Sequence, residues 1–563
     1  MENSNASEDV KVLRWREKPT RLETFSDISV KESYGPEDLK ETDYYRDIGA
    51  PGEYPYTRGI HSNMYRGKIW TRRLFCGVGS PSFTNKRLKY QIERGASGII
   101  ISPDMACNMD IEPDHPLASG FVALQGAPIY CGQDTDAMFE GIDLTSTSIA
   151  FQWCDSSALF TLACFIATAQ KRGYDISKLR GSIINDPLHQ YFGWYTGGQP
   201  YSSPQLKLKI NTDIVEFCAN NIPFWHPVVL NSYDVSQSGT NTFQEVGFGF
   251  ALAKEYLRSA LKRGIDINKI GSRIMHVYTS NMDFFETIAK FRAVRRMWAK
   301  MMKEEFGATD LKACRAFITT HTDGYSLTYQ QPANNIVRIS LETMAAVLGG
   351  VQSTDPCGYD EPYCIPSHKA ALMSLNIQNV IAYETGVVNA ADPLGGSYYV
   401  EHLTNAVEEG INEYLKKIED MGGIIKTIEN GWAVKEVNEA KLKRDMEIEE
   451  KKRVIVGLNE LTLDEEEWVP VDIDRDTWLD DISGEEYIES LNEFKKNRNI
   501  SDVKDKLNAL HTAATKGDNL MPATIDSVNA GVTLAEVLGV IREANGLKYD
   551  PYGMVENPFN GRA

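Results

Sequence analysis

The chain has 563 residues, with 59 Lys and Arg against 78 Asp and Glu, a formal net charge of -19, and 42% hydrophobic residues. That apolar content is enough for a sizeable core and excludes a disordered chain, and the length suggests two to four domains or one large barrel with extensions. So acidic a chain lacks a broad basic face for nucleic acid, and an anionic ligand has to be met by a local cationic cluster. The first 50 residues are polar and broken by Gly and Pro, which predicts an extended N-terminal arm. Next comes "YPYTRGIHSNMYRGKIWTRRLFCGVG", Tyr54 to Gly79, where four Tyr or Trp and five Arg or Lys gather ahead of a short apolar run. From about 72 to 400, eight such runs alternate with amphipathic stretches: "RRLFCGVG", "SGIIISPD", "STSIAFQW", "GSIIND", "HPVVLNSY", "SRIMHVYTS", "AFITTHTD" and "VLGGVQST". Ser156 to Arg172 reads as a helix apolar almost all round. Phe284 to about Phe306 is an amphipathic helix, with Arg292, Arg295, Arg296, Lys300 and Lys303 off its apolar stripe. Residues 404–455 are helical and rich in Glu and Lys, an acidic linker follows, and two or three short helices precede the end.

This alternation predicts an α/β fold, a (β/α)8 TIM barrel over residues 51–400, with the arm (1–50) before it and a helical extension (401–563) behind it. Such strands deliver active-site groups from their C-terminal ends, and the run ends carry Phe75, Asp104, Gln152, Asp186, Tyr233 with Asp234, His276, His321 with Asp323, and Gln352 with Ser353. The nine cysteines form no CxxC pair, the N-terminus has no apolar leader, and no run reaches the about 18 apolar residues of a membrane span. A soluble, cytoplasmic chain with reduced thiols is expected. P-loop, GxSxG, HExxH and GxGxxG motifs are absent, and the nine histidines show no metal-ligand spacing. Asp186 and His189 are too close in sequence to define a triad by themselves.

The stretch "YPYTRGIHSNMYRGKIWTRR" resembles the methylmalonyl-CoA mutase family. The similarity continues through "NKRLKYQIERGASGIIISPDMA", "GSIINDPL", "VVLNSYDVSQSG", "NMDFFETIAKFRAVRRMWAKMM", "THTDGYSLTYQQPANNIVRISLETMAAVLGGVQST", "GYDEPYCIPS" and "DPLGGSYYVEHLT", and covers roughly residues 35 to 545. The resemblance implies an adenosylcobalamin-dependent acyl-CoA carbon-skeleton mutase, an isomerase. In that family the barrel is threaded by the pantetheine arm of CoA, and a radical rearrangement takes place inside it. It implies CoA contacts at Lys68, Thr71, Arg73, Ser146, Ser148, Ser182, Arg273 and Gln352, and adenosyl-side contacts at Glu361, Gln237 and His321. The family's cobalamin-binding DxHxxG motif is not found in the chain, which ends at Ala563. The expectation is a large subunit of a split mutase, of the isobutyryl-CoA or 2-hydroxyisobutyryl-CoA mutase type. A small cobalamin-binding subunit supplies the lower cobalt ligand, in a heterotetramer or other hetero-oligomer.

Three positions depart from the methylmalonyl enzymes. Phe75 stands for a tyrosine, as in the isobutyryl-CoA mutase branch, and Trp194 stands for the arginine that grips the substrate's free carboxylate. A buried carboxylate without that fork would cost several kcal/mol, so a non-carboxylated acyl group is expected. In "NSYD", Tyr233 is kept and Asp234 stands for a histidine that hydrogen-bonds the thioester carbonyl. Asp234 serves there only if protonated; if ionised, it accepts a hydrogen bond from a substrate hydroxyl. Ile184 replaces a glutamine and makes the pocket more apolar. The other reading of these changes is a non-catalytic structural barrel within a heteromeric mutase.

Overall fold

The computed structural model describes residues 22–124, 126–193, 202–474 and 484–559. Ten strands are present among them: β1 (Thr71–Arg72), β2 (Phe75–Cys76), β3 (Ile99–Ile101), β4 (Ile149–Phe151), β5 (Gly181–Ile183), β6 (Trp225–His226), β7 (Val228–Asn231), β8 (Ile274–Ser280), β9 (Phe317–Thr322) and β10 (Ser353–Asp355). They form two five-stranded sheets, ordered β2-β3-β4-β5-β6 and β1-β10-β9-β8-β7, and every pairing is parallel. The fold is therefore α/β, and each of the eight apolar runs supplies strand residues. Two runs are divided between the sheets. Arg73 and Leu74 separate β1 from β2, and Pro227, which has no N–H for a ladder, separates β6 from β7. Parallel strands share a direction, so their N-terminal ends lie on one side and their C-terminal ends on the other.

Local chemistry fixes the packing. Gly181 opens β5 because a Cβ there would stand 2.1 Å from the Ile149 carbonyl oxygen and 2.6 Å from the Trp225 ring. The helix Ser157–Lys171 is buried along nearly its whole length. Phe165 packs against Phe151 and Trp225 at 5.4 and 5.3 Å on the sheet side, and the helices Leu520–Asn529 and Leu534–Ala544 cover its outer side. An all-apolar helix is one sandwiched between layers.

Lys290 and the three arginines of helix Phe284–Lys300 are not solvated, contrary to the usual fate of an amphipathic helix's polar face. Arg292 is buried against Asp392 and Glu401, Arg296 pairs with Glu408, and Lys290 lies 2.6 Å from Glu245. Arg295 donates to the carbonyls of Tyr56, Thr57 and Gly349 at 3.0, 2.9 and 2.7 Å. Helix Tyr398–Asp420, which crosses the expected boundary at residue 400, lies over this face and supplies two of the carboxylates. All nine cysteines are free thiols, and among the described residues no helix is long and apolar enough to cross a membrane.

Candidate active site

A cavity of about 850 Å³ runs among the strands. Arg73, between β1 and β2, Phe75, which opens β2, and Ser182 within β5 line it, and so do Ile184 just past β5 and Tyr233, Asp234, Gln237, His321 and Glu361 toward the C-terminal side. Nine of the residues singled out in the sequence thus share one space.

At the N-terminal ends the cations are short of acids. Arg73 is buried and donates to Ser148 Oγ at 2.8 Å and to the Ile99 carbonyl at 3.4 Å. Its Nε has no partner, and no ion pair reaches it among the described residues. Burial lowers its pKa to about 10, with only the charge of Asp355 opposing. A desolvated guanidinium with spare donors fits an anion. Other cations of the 54–79 stretch are differently engaged: Arg58 binds Asp392 at 3.0 Å, and Arg72 turns outward to Asn379 and Tyr383 at 2.7 and 3.1 Å. Its Tyr56, Tyr65 and Trp70 rings are core, not a stacking platform. Lys68 and Ser146 are exposed, and Thr71 opens β1. Arg273 stacks on Phe224 at 5.6 Å, and Arg180 on the same ring at 4.6 Å. Sequence reading missed Arg180 and Phe224. Each directly precedes a strand, β5 and β6, a signal that gains meaning only when strand starts are aligned. The Gln352 amide braces backbone, accepting from Ile318 N and donating to the Gly350 carbonyl, each at 2.9 Å.

At the C-terminal ends an aromatic wall forms: the His321 ring lies 5.0 Å from Phe75 and 4.7 Å from Tyr233. His321 Nδ1 donates to the Asp355 carbonyl. Burial alone would lower its pKa, but Asp355 and Glu361 outweigh that and raise it. Burial pushes the Tyr233 hydroxyl well up, so it is a neutral phenol. Ile184 packs with Val229, Met275 and Cys154 as an apolar floor. Trp194 lies outside the described residues. His276 does not end a strand. It sits within β8, packs against Trp298 at 4.5 Å, and burial lowers its pKa to about 3. Arg87, another cavity cation not found from sequence, donates to the Pro366 carbonyl at 3.1 Å.

Behind the cavity wall, Asp234 Oδ2 stands 3.1 Å from His189 Nε2 and accepts from Asn231 Nδ2 at 2.7 Å. His189 Nδ1 donates to the Asp186 carbonyl, and Asp186 itself accepts from Tyr256 and from Asn231 N. Asp186 and His189, unremarkable in the sequence, acquire a partner 45 positions on.

Glu361 accepts from Gly358 N at 2.7 Å with one oxygen, and burial raises its pKa. Gln237 donates to Asp323 at 2.9 Å and accepts from Tyr325 N at 3.1 Å. Thr320 Oγ1, on the cavity, is buried with no hydrogen-bond partner among the described residues. A cavity carboxylate and an unpaired hydroxyl in a roomy space fit the diol and ring nitrogens of an adenosyl group.

The methylmalonyl-CoA mutase family profile matches residues 23–547. The 2-hydroxyisobutanoyl-CoA mutase large subunit of Aquincola tertiaricarbonis is 36% identical over 523 residues, 93% of this chain and 92% of that protein. Methylmalonyl-CoA mutase of Rhizobium meliloti (strain 1021) is 31% identical over 92% of this chain and 72% of its own length. The human mitochondrial methylmalonyl-CoA mutase is 32% identical over 92% and 68%. The chain belongs to the methylmalonyl-CoA mutase family. That family consists of cobalamin-dependent CoA mutases, so the chain is an isomerase.

Proposed function

We propose that the chain is the large subunit of an adenosylcobalamin-dependent mutase that moves a CoA-thioester group to the neighbouring carbon of a non-carboxylated acyl chain: branched, bulky or hydroxylated. The observation that carries this is a single cavity joining an acid-starved Arg73 at the strand starts to Glu361 beyond the strand ends. In this reading β1 with β2, and β6 with β7, are each one interrupted stave, and the two sheets are halves of a (β/α)8 barrel spanning 51–400. Residues 1–50 are an arm and 401–563 an extension that clamps the barrel's helices.

Arg73, Lys68, Thr71, Ser146, Ser148, Ser182, Arg273 and Gln352 hold the CoA end. Phe75, Ile184 and Trp194 wall the acyl group, Tyr233 and Asp234 orient the reacting acyl group, and Glu361, Gln237 and His321 face the adenosyl group. Bound adenosylcobalamin supplies the radical chemistry. The protein's own work is to exclude water and to fix the acyl group against that source. A small cobalamin-binding chain completes the site in a cytoplasmic hetero-oligomer. Exposed Tyr329, Leu461 and Leu463 support a covering partner: Tyr329 stacks on Tyr363, close in sequence to cavity-lining Glu361 and Cys364, and Leu461 accepts from nearby Gln331.

Among the described residues the cavity's arginines are Arg73 and Arg87. The first stands at the CoA end and the second is engaged by the Pro366 carbonyl. The test is a panel of isobutanoyl-CoA, 2-hydroxyisobutanoyl-CoA and methylmalonyl-CoA, with the small chain and adenosylcobalamin added and products resolved by mass and chromatography. Isomerisation of a non-carboxylated ester and none of methylmalonyl-CoA is expected. Preferred turnover of methylmalonyl-CoA overturns the reading. No turnover together with no retention of the cofactor leaves the non-catalytic subunit.

A further inference from the structure

Asp234 presents two oxygens of unlike standing. Oδ2 receives Asn231 Nδ2 at 2.7 Å and faces His189 Nε2 at 3.1 Å, whereas Oδ1 has no hydrogen-bond partner among the described residues and Asp234 lines the cavity. The proton count follows from the other side of the imidazole. His189 Nδ1 points at the Asp186 main-chain carbonyl, which can only accept, so Nδ1 carries a hydrogen in either charge state.

A contact between Nε2 and Oδ2 then needs one proton between them. It rests either on Nε2, giving imidazolium and carboxylate, or on Oδ2, giving imidazole and acid. In both cases Oδ1 is an acceptor. A proton on Oδ1, which alone would let Asp234 donate into the cavity, leaves the lone pairs of Nε2 and Oδ2 3.1 Å apart with only the Asn231 amide beside them, 2.7 Å from Oδ2 and a long 3.4 Å from Nε2.

The groups around the imidazole agree. Asp186 lies on its own loop, with Oδ2 3.7 Å from Nδ1. Asn231 and Asp234 come from the end of β7, and Cys154 follows β4 with its thiol pushed well up by burial. Tyr256 of helix Thr242–Lys262 donates to Asp186. Burial lowers the imidazole's pKa, but Asp234 and Asp186 outweigh it, so the net shift is upward.

We propose that His189 is a positioning residue that fixes Asp234 as a hydrogen-bond acceptor toward the cavity, and that the acyl group taken there carries a hydroxyl. This rests on the acyl-CoA mutase reading and narrows its substrate class. A thioester carbonyl has no hydrogen to give Oδ1, and neither has a branched hydrocarbon chain. A hydroxyl on the acyl carbon does. A site built around such a hydrogen bond rejects the matched ester without it, because a polar atom is left unpaired.

The test is calorimetric titration of the chain with 2-hydroxyisobutanoyl-CoA, isobutanoyl-CoA and CoA alone. The hydroxylated ester is expected to bind about tenfold tighter than its match, and His189→Leu to bring that ratio within about threefold. A ratio a purely structural role would not move separates positioning from packing. Equal affinities in the native protein, or a ratio untouched by His189→Leu, overturn the proposal while leaving the mutase reading intact. If CoA and both esters fail to bind, the mutase reading falls and the proposal with it. Nitrogen-15 spectra of histidine-labelled native chain need no variant: a His189 Nδ1 bearing a hydrogen is expected, and a bare Nδ1 overturns the proton count.

Discussion

Imidazoles at the two ends of the parallel strands are shifted in opposite directions. His226, in β6 at the N-terminal side, has its pKa lowered to about 4 by burial and by the charge of Arg273, with Arg73 adding to it. His189, beyond the end of β5, and His321, the last residue but one of β9, are also largely buried, yet carboxylates raise them: Asp234 and Asp186 for one, Asp355 and Glu361 for the other. Burial lowers all three, so it does not set them apart. What differs is the sign of the neighbours, positive at the strand starts (Arg73, Arg180, Arg273) and negative beyond the strand ends. An acidic protein has in this way kept one end of its cavity for anions.

The largest way to break this comparison is Arg73→Met. Removing a buried cation from a bound anion costs a few kcal/mol, so CoA affinity should fall about 100-fold, measured by titration at constant ionic strength. An unchanged affinity would mean that the phosphates enter elsewhere. The next effect is on stability. An unfolded imidazole titrates near 6.5, whereas His226 holds off its proton until about 4 and His276 until about 3. Below pH 6.5 the unfolded chain binds more protons, so stability falls as the pH drops toward 4. His189 and His321 act with the other sign: their contribution is complete below 6.5 and is lost as the pH rises through their raised folded values. Urea unfolding at pH 7 and pH 4.5 should show His226→Gln reducing the acid loss by roughly 2 kcal/mol. His189→Gln should deepen it. The same direction in both variants would erase the polarity argued here.

How much of this was legible depends on the distance over which the physics acts. Buried parallel strands are short continuous apolar runs, so the eight runs that supply strand residues could be read from local pattern. The splits at Arg73–Leu74 and Pro227 could not, because they depend on which neighbour each half-strand pairs with. Periodicity placed Arg292 and Arg296 off the apolar stripe of their helix but could not supply Asp392, Glu401 and Glu408, about a hundred positions later, which let them be buried. The i, i+3 pair Asp186 and His189 was visible. Its meaning was not, since Asp234 arrives from the end of a different strand. The positions of Phe75, Ile184, Tyr233, Asp234 and Glu361 on one cavity followed from a family resemblance, not from spacing.

Smaller perturbations sharpen the contrast. Glu361→Gln acts only at the negative end, where burial already raises the carboxyl and one oxygen is tied to Gly358 N. Loss of one charged acceptor should lower kcat about tenfold in the reconstituted enzyme, with KM for the thioester within about twofold. A matching loss in KM would place Glu361 on the CoA side.

The smallest effect belongs to Lys68→Met. Lys68 and Arg73 are five residues apart on either side of β1, but Lys68 is exposed and Arg73 is buried. In water an ammonium gains little from a phosphate, because both are well solvated and salt screens them. In the cavity the guanidinium has already lost its solvent, so the phosphate restores what burial removed. Lys68→Met should therefore cost about threefold in CoA affinity at low salt and nothing measurable near 1 M salt, while the Arg73→Met deficit persists in both. Equal losses, with equal salt dependence, would put the phosphates at the solvent-exposed rim and leave Arg73 without its anion.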